Sequence, residues 1–208
     1  MRIKHALVVA NGVPLSHERL LAAVADADYV LAADGGVNAL LSAGITPQAL
    51  LGDFDSLSAD LPESIVRIPA RDQNYTDLDK AIGFLIESGA GRITMTGVTG
   101  GRLDHTLGAL GVLAKYGRSL PLILMDDYAT GVLVDGEIEL LTTPGQTISL
   151  LPLGTVESIA TTGLKWNLSN ETLGLGKRDG TSNVATGDSV TITVGAGDLV
   201  AYIHHRAP

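Results

Sequence analysis

For about its first 125 residues the chain alternates short apolar runs with segments of helical pattern, and after Asp126 the helical segments stop. The runs at 7–10, 29–33, 49–51, 65–68, 93–96 and 122–125 read as strands buried on both faces. Between them, 15–25, 35–42, 77–88 and 103–116 read as helices, the third ending at Gly89 and the fourth stopped by Gly117. Strands alternating with helices predict a parallel sheet covered by helices. From Asp126 the texture turns to Thr, Val, Leu and Gly, with short alternating segments at 131–134, 138–141, 147–151 and 189–194. Asp135-Gly136, Pro144-Gly145 and Asp179-Gly180 punctuate that region as turns. The expected architecture is an α/β domain over 1–128 followed by an all-β sandwich over 129–208.

Composition removes several classes. No apolar run reaches the roughly 18 residues a bilayer span needs. The first one, Ala6-Leu7-Val8-Val9-Ala10, runs at once into Asn11-Gly12, so it reads as a first buried strand and not as a signal peptide. With no Cys there is no disulfide and no thiolate metal site, and the cytoplasm is the default expectation. A net charge of −9 argues against non-specific nucleic-acid binding. An anionic nucleotide stays possible where local cations offset the acids.

Four polar clusters follow predicted strands of the first domain, and in a parallel sheet ligands bind outside the carboxyl ends of the strands. Asp34-Gly35-Gly36 combines a carboxylate with two glycines that let a ligand approach the backbone; Asp34 could equally be a helix cap. Gly52-Asp53-Phe54-Asp55 sets two carboxylates two residues apart, which repel unless a cation sits between them. A hard divalent ion such as Mg²⁺ carrying a polyphosphate is the economical reading, and a solvated acidic turn is the alternative. The third cluster runs from Asp72 through Asn74, Thr76, Asp77 and Asp79 to Lys80, with Thr76 as N-cap of the following helix. The fourth, Gly97 to His105, offers glycines that wrap an anion and Arg102, whose guanidinium fork suits phosphate. Asp104 could orient Arg102 or His105, or hold metal, and His105 could be purely structural. Their joint occurrence favours metal-assisted polyphosphate chemistry. There is no Gly-x-x-x-x-Gly-Lys-Ser/Thr and no Gly-x-Gly-x-x-Gly after the first strand, which excludes a P-loop enzyme and argues against a Rossmann dehydrogenase. In the β region Trp166, the only Trp, stands near Ser182 and Asn183; it reads either as core or as a platform for a heterocycle.

In this order, Asp34-Gly35-Gly36, Gly52-Asp53-Phe54-Asp55-Ser56, Asn74-x-Thr76-Asp77-x-x-Lys80-Ala81, Gly100-Gly101-Arg102-x-Asp104-His105, Gly163-Leu164-x-Trp166 and Ser182-Asn183 resemble the thiamine pyrophosphokinase (thiamine diphosphokinase) family over nearly the whole chain. The resemblance implies an α/β catalytic domain, a β-sandwich, and a homodimer with active sites at the subunit interface. It implies transfer of pyrophosphate from ATP to thiamine with Mg²⁺, yielding thiamine diphosphate and AMP. It further implies that Asp53, Asp55 and Asp77 belong to the metal and phosphate site, with Asp55, Asp77, Lys80 and Arg102 at the chemistry. Asp34, Gly35, Asn74, Thr76, Lys80, Arg102, Asp104 and His105 would serve the nucleotide, and Trp166, Ser182 and Asn183 would receive thiamine. Two positions depart from the family pattern. Gly108 and Ala109 stand where members often have Asn, and Val184 stands where many bacterial members have Glu.

Overall fold

The computed structural model describes residues 2–54 and 61–205, so Asp55 and Ser56 lie outside the described residues. The chain divides between Asp127 and Tyr128 into two compact units, each with its own contacts.

In the first unit six strands run parallel: β1 (Ala6–Val9), β2 (Tyr29–Ala33), β3 (Ala49–Gly52), β4 (Val66–Pro69), β5 (Ile93–Thr96) and β6 (Leu122–Met125). Their order is β6-β5-β1-β2-β3-β4. The order reverses between β1 and β5, so the crevice at a topological switch point opens beyond Val9 and Thr96. Strands β1, β3 and β5 are buried along their whole length, which explains the unbroken apolar sequence of β1 and β3, while β5 buries Thr94 and Thr96 between its apolar residues. Leu7, Val9, Val30, Ala32 and Leu50 face a core shared with Leu15, Leu20 and Ala23 of the α1 (His17–Asp26) region and with Val37 and Leu40 of α2 (Gly36–Ser42). By alternation the residues between them face the other way, and α3 (Asp77–Glu87) lies against β1, β2 and β3 with Ala81, Ile82 and Leu85 buried. Helix α4 (Leu103–Tyr116) packs on α3 and β6 through Ala109, Val112 and Leu113. Its outer face leaves Leu103 and Leu107 exposed.

The second unit is two antiparallel sheets over one core. One has the order β12 (Gly180–Val184), β9 (Thr147–Pro152), β14 (Leu199–His204), β7 (Ala129–Val134). The other has β11 (Glu171–Gly174), β10 (Thr155–Thr162), β13 (Ser189–Thr193), β8 (Glu137–Leu141). Ile148, Leu150, Leu199 and Ala201 from the first sheet meet Val156, Ile159, Leu173, Val190 and Ile192 from the second, the interdigitation expected of a sandwich. Two strands are bulged: β10 shifts register between Val156 and Ile159, and β12 between Gly180 and Asn183. Ser158 and Ser182 take left-handed backbone there, with φ of 55° and 58°. Helix α1 begins at His17, two residues later than the hydrophobic pattern predicts. Asp127 accepts from the Ser16 backbone N–H and hydroxyl at 2.9 Å and fixes that start.

Candidate active site at the carboxyl edge of the parallel sheet

The loop after β1 is clasped to the loop after β5. Ala10 N–H donates to Thr96 O (2.8 Å), Gly12 N–H to Gly97 O (2.5 Å) and Val13 N–H to Thr99 O (3.1 Å). The approach requires glycine: a Cβ on Gly12 would stand 2.3 Å from Gly97 O. Asn11 is carried over β2's end, where a Cβ on Gly35 would meet the Asn11 amide at 2.4 Å. In the sequence Asn11-Gly12 reads only as the stop of the first apolar run. The missed signal was a Gly directly after the first strand, facing a second Gly-rich loop.

Around β2, β3 and β4 the expected residues come together through their backbones. Asp34, in left-handed conformation with φ 47°, donates its N–H to Leu51 O at 2.8 Å. Asp53 follows Gly52 and is exposed. The Ala70 N–H donates to Gly52 O at 3.0 Å, and Ala70 O accepts from Lys80 Nζ at 2.9 Å. Lys80 Nζ also lies 2.8 Å from Asp77 Oδ1. Through Leu51 and its neighbour Gly52, a short series of contacts therefore links Asp34, Ala70, Lys80 and Asp77. Thr76 caps α3, accepting from Asp79 N–H at 3.2 Å, and Asp72 accepts from both the backbone and the side-chain amide of Asn74. Asp34 does not cap α2; Gly35 occupies that position, with no side-chain cap.

Two residues of α4 brace this segment. Lys115 Nζ lies 2.9 and 3.0 Å from the Asp79 carboxylate, and Tyr116 OH donates to it at 2.7 Å. The same ammonium sits 4.7 Å from the ring centroids of both Tyr75 and Tyr116. Hydrogen bonding to Tyr116 and then to Asp79 raises Lys115 above the usual lysine range. Burial, as the largest cause, raises the Tyr116 phenol.

At the start of α4, Arg102 and Asp104 form a two-point pair: Nε to Oδ1 at 3.1 Å and Nη2 to Oδ2 at 2.5 Å. The bond to Arg102 holds Asp104 below the ordinary carboxylate range, and the bond to Asp104 raises Arg102. Asp104 also accepts from the His105 backbone N–H at 3.1 Å. Of the roles left open for Asp104, the geometry displays the orienting one. One edge of the guanidinium is held while its remaining N–H groups face outward on a mostly exposed side chain. At the first departure position Gly108 is exposed and Ala109 is buried in the helix packing.

In the second unit Trp166 is 55 % exposed, which removes the core reading. Lys165 Nζ stands 4.6 Å from its ring centroid. Asn183 is buried and spends its amide on the Trp166 backbone. Its Oδ1 accepts from Trp166 N–H (3.2 Å) and Val184 N–H (2.9 Å), and its Nδ2 donates to Trp166 O (2.8 Å). Ser182 donates its backbone N–H to Ser149 Oγ at 3.0 Å. Trp166, Asn183, Arg178, Asp179 and Thr181 line a cavity of about 150 Å³. Asp179, whose sequence signal is only that of a turn, and Arg178, which carries no motif signal, are part of that wall; Arg178 pairs with Glu171. At the second departure position the Val184 carbonyl accepts from Lys165 N–H at 2.8 Å.

Residues 20–124 match the family model described as thiamin pyrophosphokinase, catalytic domain, and residues 137–199 match the one described as thiamin pyrophosphokinase, vitamin B1 binding domain. The chain belongs to the thiamine pyrophosphokinase family. Thiamine pyrophosphokinase 2 of Arabidopsis thaliana is 34% identical over 163 residues, covering 70% of this chain and 61% of that one. Thiamin pyrophosphokinase 1 of Caenorhabditis elegans is 31% identical over 185 residues, 79% of this chain and 74% of that one. The crystal structure of thiamin pyrophosphokinase from Geobacillus thermodenitrificans superposes with a TM-score of 0.83 at 27% identity, covering 98% of both chains. The chain spans about three fifths of the length of the plant thiamine pyrophosphokinases it matches, at 61–62%.

Proposed function

We propose that this chain is a thiamine diphosphokinase, transferring pyrophosphate from ATP to the hydroxyl of thiamine to give thiamine diphosphate and AMP. The observation that carries the reading is the gathering, on one carboxyl edge of a parallel sheet in a member of this family, of Asp34, Asp53, the Asp77–Lys80 pair and Arg102. In the reaction the thiamine hydroxyl oxygen bonds to the β-phosphorus of ATP. The bond from that phosphorus to the oxygen shared with the α-phosphate breaks, and AMP leaves with the electron pair. The hydroxyl proton passes to a carboxylate, Asp77 or Asp55. Asp77 Oδ1 lies 2.8 Å from Lys80 Nζ, so the acceptor carboxylate and a phosphate-directed cation stand side by side.

Lys80 and Arg102 are assigned to the transferring phosphates, with Asp104 positioning Arg102, and Asn74, Thr76 and His105 are assigned to the nucleotide side. Positioning and charge neutralisation dominate such transfers. Mg²⁺, when bound, supplies further charge neutralisation on the polyphosphate. Among the described residues no group of three His, Cys, Asp or Glu gathers to hold an ion. The carboxylates on this edge nonetheless fit Mg²⁺, a hard cation that takes carboxylate, water and phosphate oxygens. Asp53, Asp55 and Asp77 are the proposed ligands. Trp166 is proposed to stack on thiamine, with Ser182 beside it and Asn183 fixing the Trp166 loop.

We further propose a homodimer with active sites at the subunit interface, supported by the exposed Leu103 and Leu107 on α4 beside Arg102, and a cytoplasmic location, tested by cell fractionation. No helix among the described residues is long and apolar enough to cross a membrane. The decisive assay is incubation with ATP, Mg²⁺ and thiamine, scoring AMP against ADP. AMP with thiamine diphosphate supports the reading. ADP points to a simple kinase, and no product points to a binding protein. Mixing an Asp55→Asn chain with a Trp166→Ala chain tests the shared site: recovered activity supports it, and none argues that each site is built from one chain.

A further inference from the structure

We propose that Asp126, just beyond the end of β6, is a positioning residue for Arg102, acting through Thr99 and touching no substrate; this rests on Arg102 serving the transferring phosphates. On one side Arg102 is tied into α4, its carbonyl accepting from Thr106 N–H at 3.2 Å. On the other side lie Gly100 and Gly101, and Gly100 has a φ of 77°. Glycine loses more conformational freedom on ordering than any other residue, so a Gly-Gly link by itself leaves the approach to Arg102 loose. The anchor has to come from the residue before the link, and that residue is Thr99.

Thr99 is held at both ends. Its carbonyl accepts from Val13 N–H at 3.1 Å, part of the clasp with the loop after β1. Its hydroxyl donates to Asp126 Oδ2 at 3.1 Å, in a half-buried setting. Val13 also closes over the link, since a Cβ on Gly100 would stand 3.0 Å from Val13 Cγ2. The next residue, Asp127, accepts from the Ser16 backbone N–H and hydroxyl at 2.9 Å and so fixes the far end of the facing loop. Two consecutive carboxylates after β6 therefore hold the two loops that meet over the crevice between β1 and β5. A polyphosphate reaching Arg102 meets a guanidinium oriented by Asp104 on a backbone set by Asp126. The anchor needs an acceptor for the Thr99 hydroxyl, and an amide oxygen can serve in place of a carboxylate.

The test is calorimetric titration of the full chain with Mg²⁺-tripolyphosphate and with thiamine, beside the assay for thiamine diphosphate. Asp126→Ala and Thr99→Val each remove the Thr99–Asp126 bond. Each should weaken tripolyphosphate about 3- to 10-fold, the range of one lost hydrogen bond, and leave thiamine unchanged. Combined, they should lose no more than either alone, and in an Arg102→Lys background Asp126→Ala should add less than about twofold. Asp126→Asn keeps the acceptor and should restore affinity to within about twofold. If circular dichroism shows that Asp126→Ala misfolds, Thr99→Val, which keeps the side-chain shape, carries the same comparisons. Unchanged tripolyphosphate affinity in Thr99→Val overturns the proposal. So does a loss in Asp126→Asn equal to that in Asp126→Ala, which would give the carboxylate a charged role of its own. A loss shared equally by thiamine also overturns it, reducing Asp126 to a general stabiliser. No binding of tripolyphosphate by the unsubstituted chain overturns it together with the phosphate role of Arg102. A chain that shows the expected pattern yet forms no thiamine diphosphate upholds the positioning while refuting the proposed activity.

Discussion

Asn183→Ala separates a side chain that reads ligand from one that holds the protein's own backbone. The Asn183 side chain is 6 % exposed and makes three bonds, two of them to the Trp166 peptide at 3.2 and 2.8 Å and one to Val184 N–H at 2.9 Å. A net hydrogen bond contributes about 0.5–1.5 kcal/mol, and the partners of a deleted buried group lose more than that when water cannot reach them. Trp166 is more than half exposed, so its peptide groups rehydrate in part. The bond to the adjacent Val184 is the most local of the three. The expected cost is therefore about 2–3 kcal/mol, or a fall in Tm of roughly 4–12 °C for a chain of this size. Because Trp166 is the only Trp, its fluorescence anisotropy reports on the freed loop alone and should drop. Asn183→Asp should not rescue, since it replaces the Nδ2 donor with an anion facing the Trp166 carbonyl. A Tm within about 1 °C of wild type, with unchanged anisotropy, would refute the clamp and return Asn183 to the ligand-reading role.

Three further outcomes are expected. Arg102→Lys loses the two-point fork and its outward N–H groups, so kcat/KM for ATP should fall by roughly 10-fold or more, and unchanged kinetics would remove Arg102 from the phosphate site. Trp166→Ala should weaken thiamine binding by about 0.5–2 kcal/mol while ATP binding holds. Stability should move by less than about 1 kcal/mol, because the ring is exposed; a loss of about 3–5 kcal/mol would restore the core reading. Lys115→Met should lower Tm by an amount that stays constant from about pH 6 to 9. A raised folded pKa contributes stability fully below the unfolded lysine value near ~10.4 and loses it only as pH climbs above that. A Tm difference that already shrinks near pH 8 would contradict the Asp79–Lys115–Tyr116 contact.

What the sequence by itself determined is the part governed by local chemistry. The apolar runs buried on both faces required a parallel sheet, and β2, β6 and α4 have the bounds their patterns predict. Thr76 caps α3 because a hydroxyl at that spacing meets its partner three residues on. The order of motifs sufficed to name the family. Tertiary structure decided the rest. Strands β10 and β12 carry bulges that break alternation, and β14 is too uniformly apolar to announce which sheet it joins; its place between β9 and β7 depends on partners far along the chain. The same holds at the site. Asn183 lies in a motif beside Ser182, yet its amide is taken by a peptide 17 residues away. Asn11 looked like the end of a strand until the fold laid it on Gly35. Asp79 stands in the first turn of α3, and only the packing of α4 brings Lys115 and Tyr116 onto it. A side chain's type fixes which bonds it can make. Only the packed backbone, by using some of those bonds internally, decides which remain for a substrate.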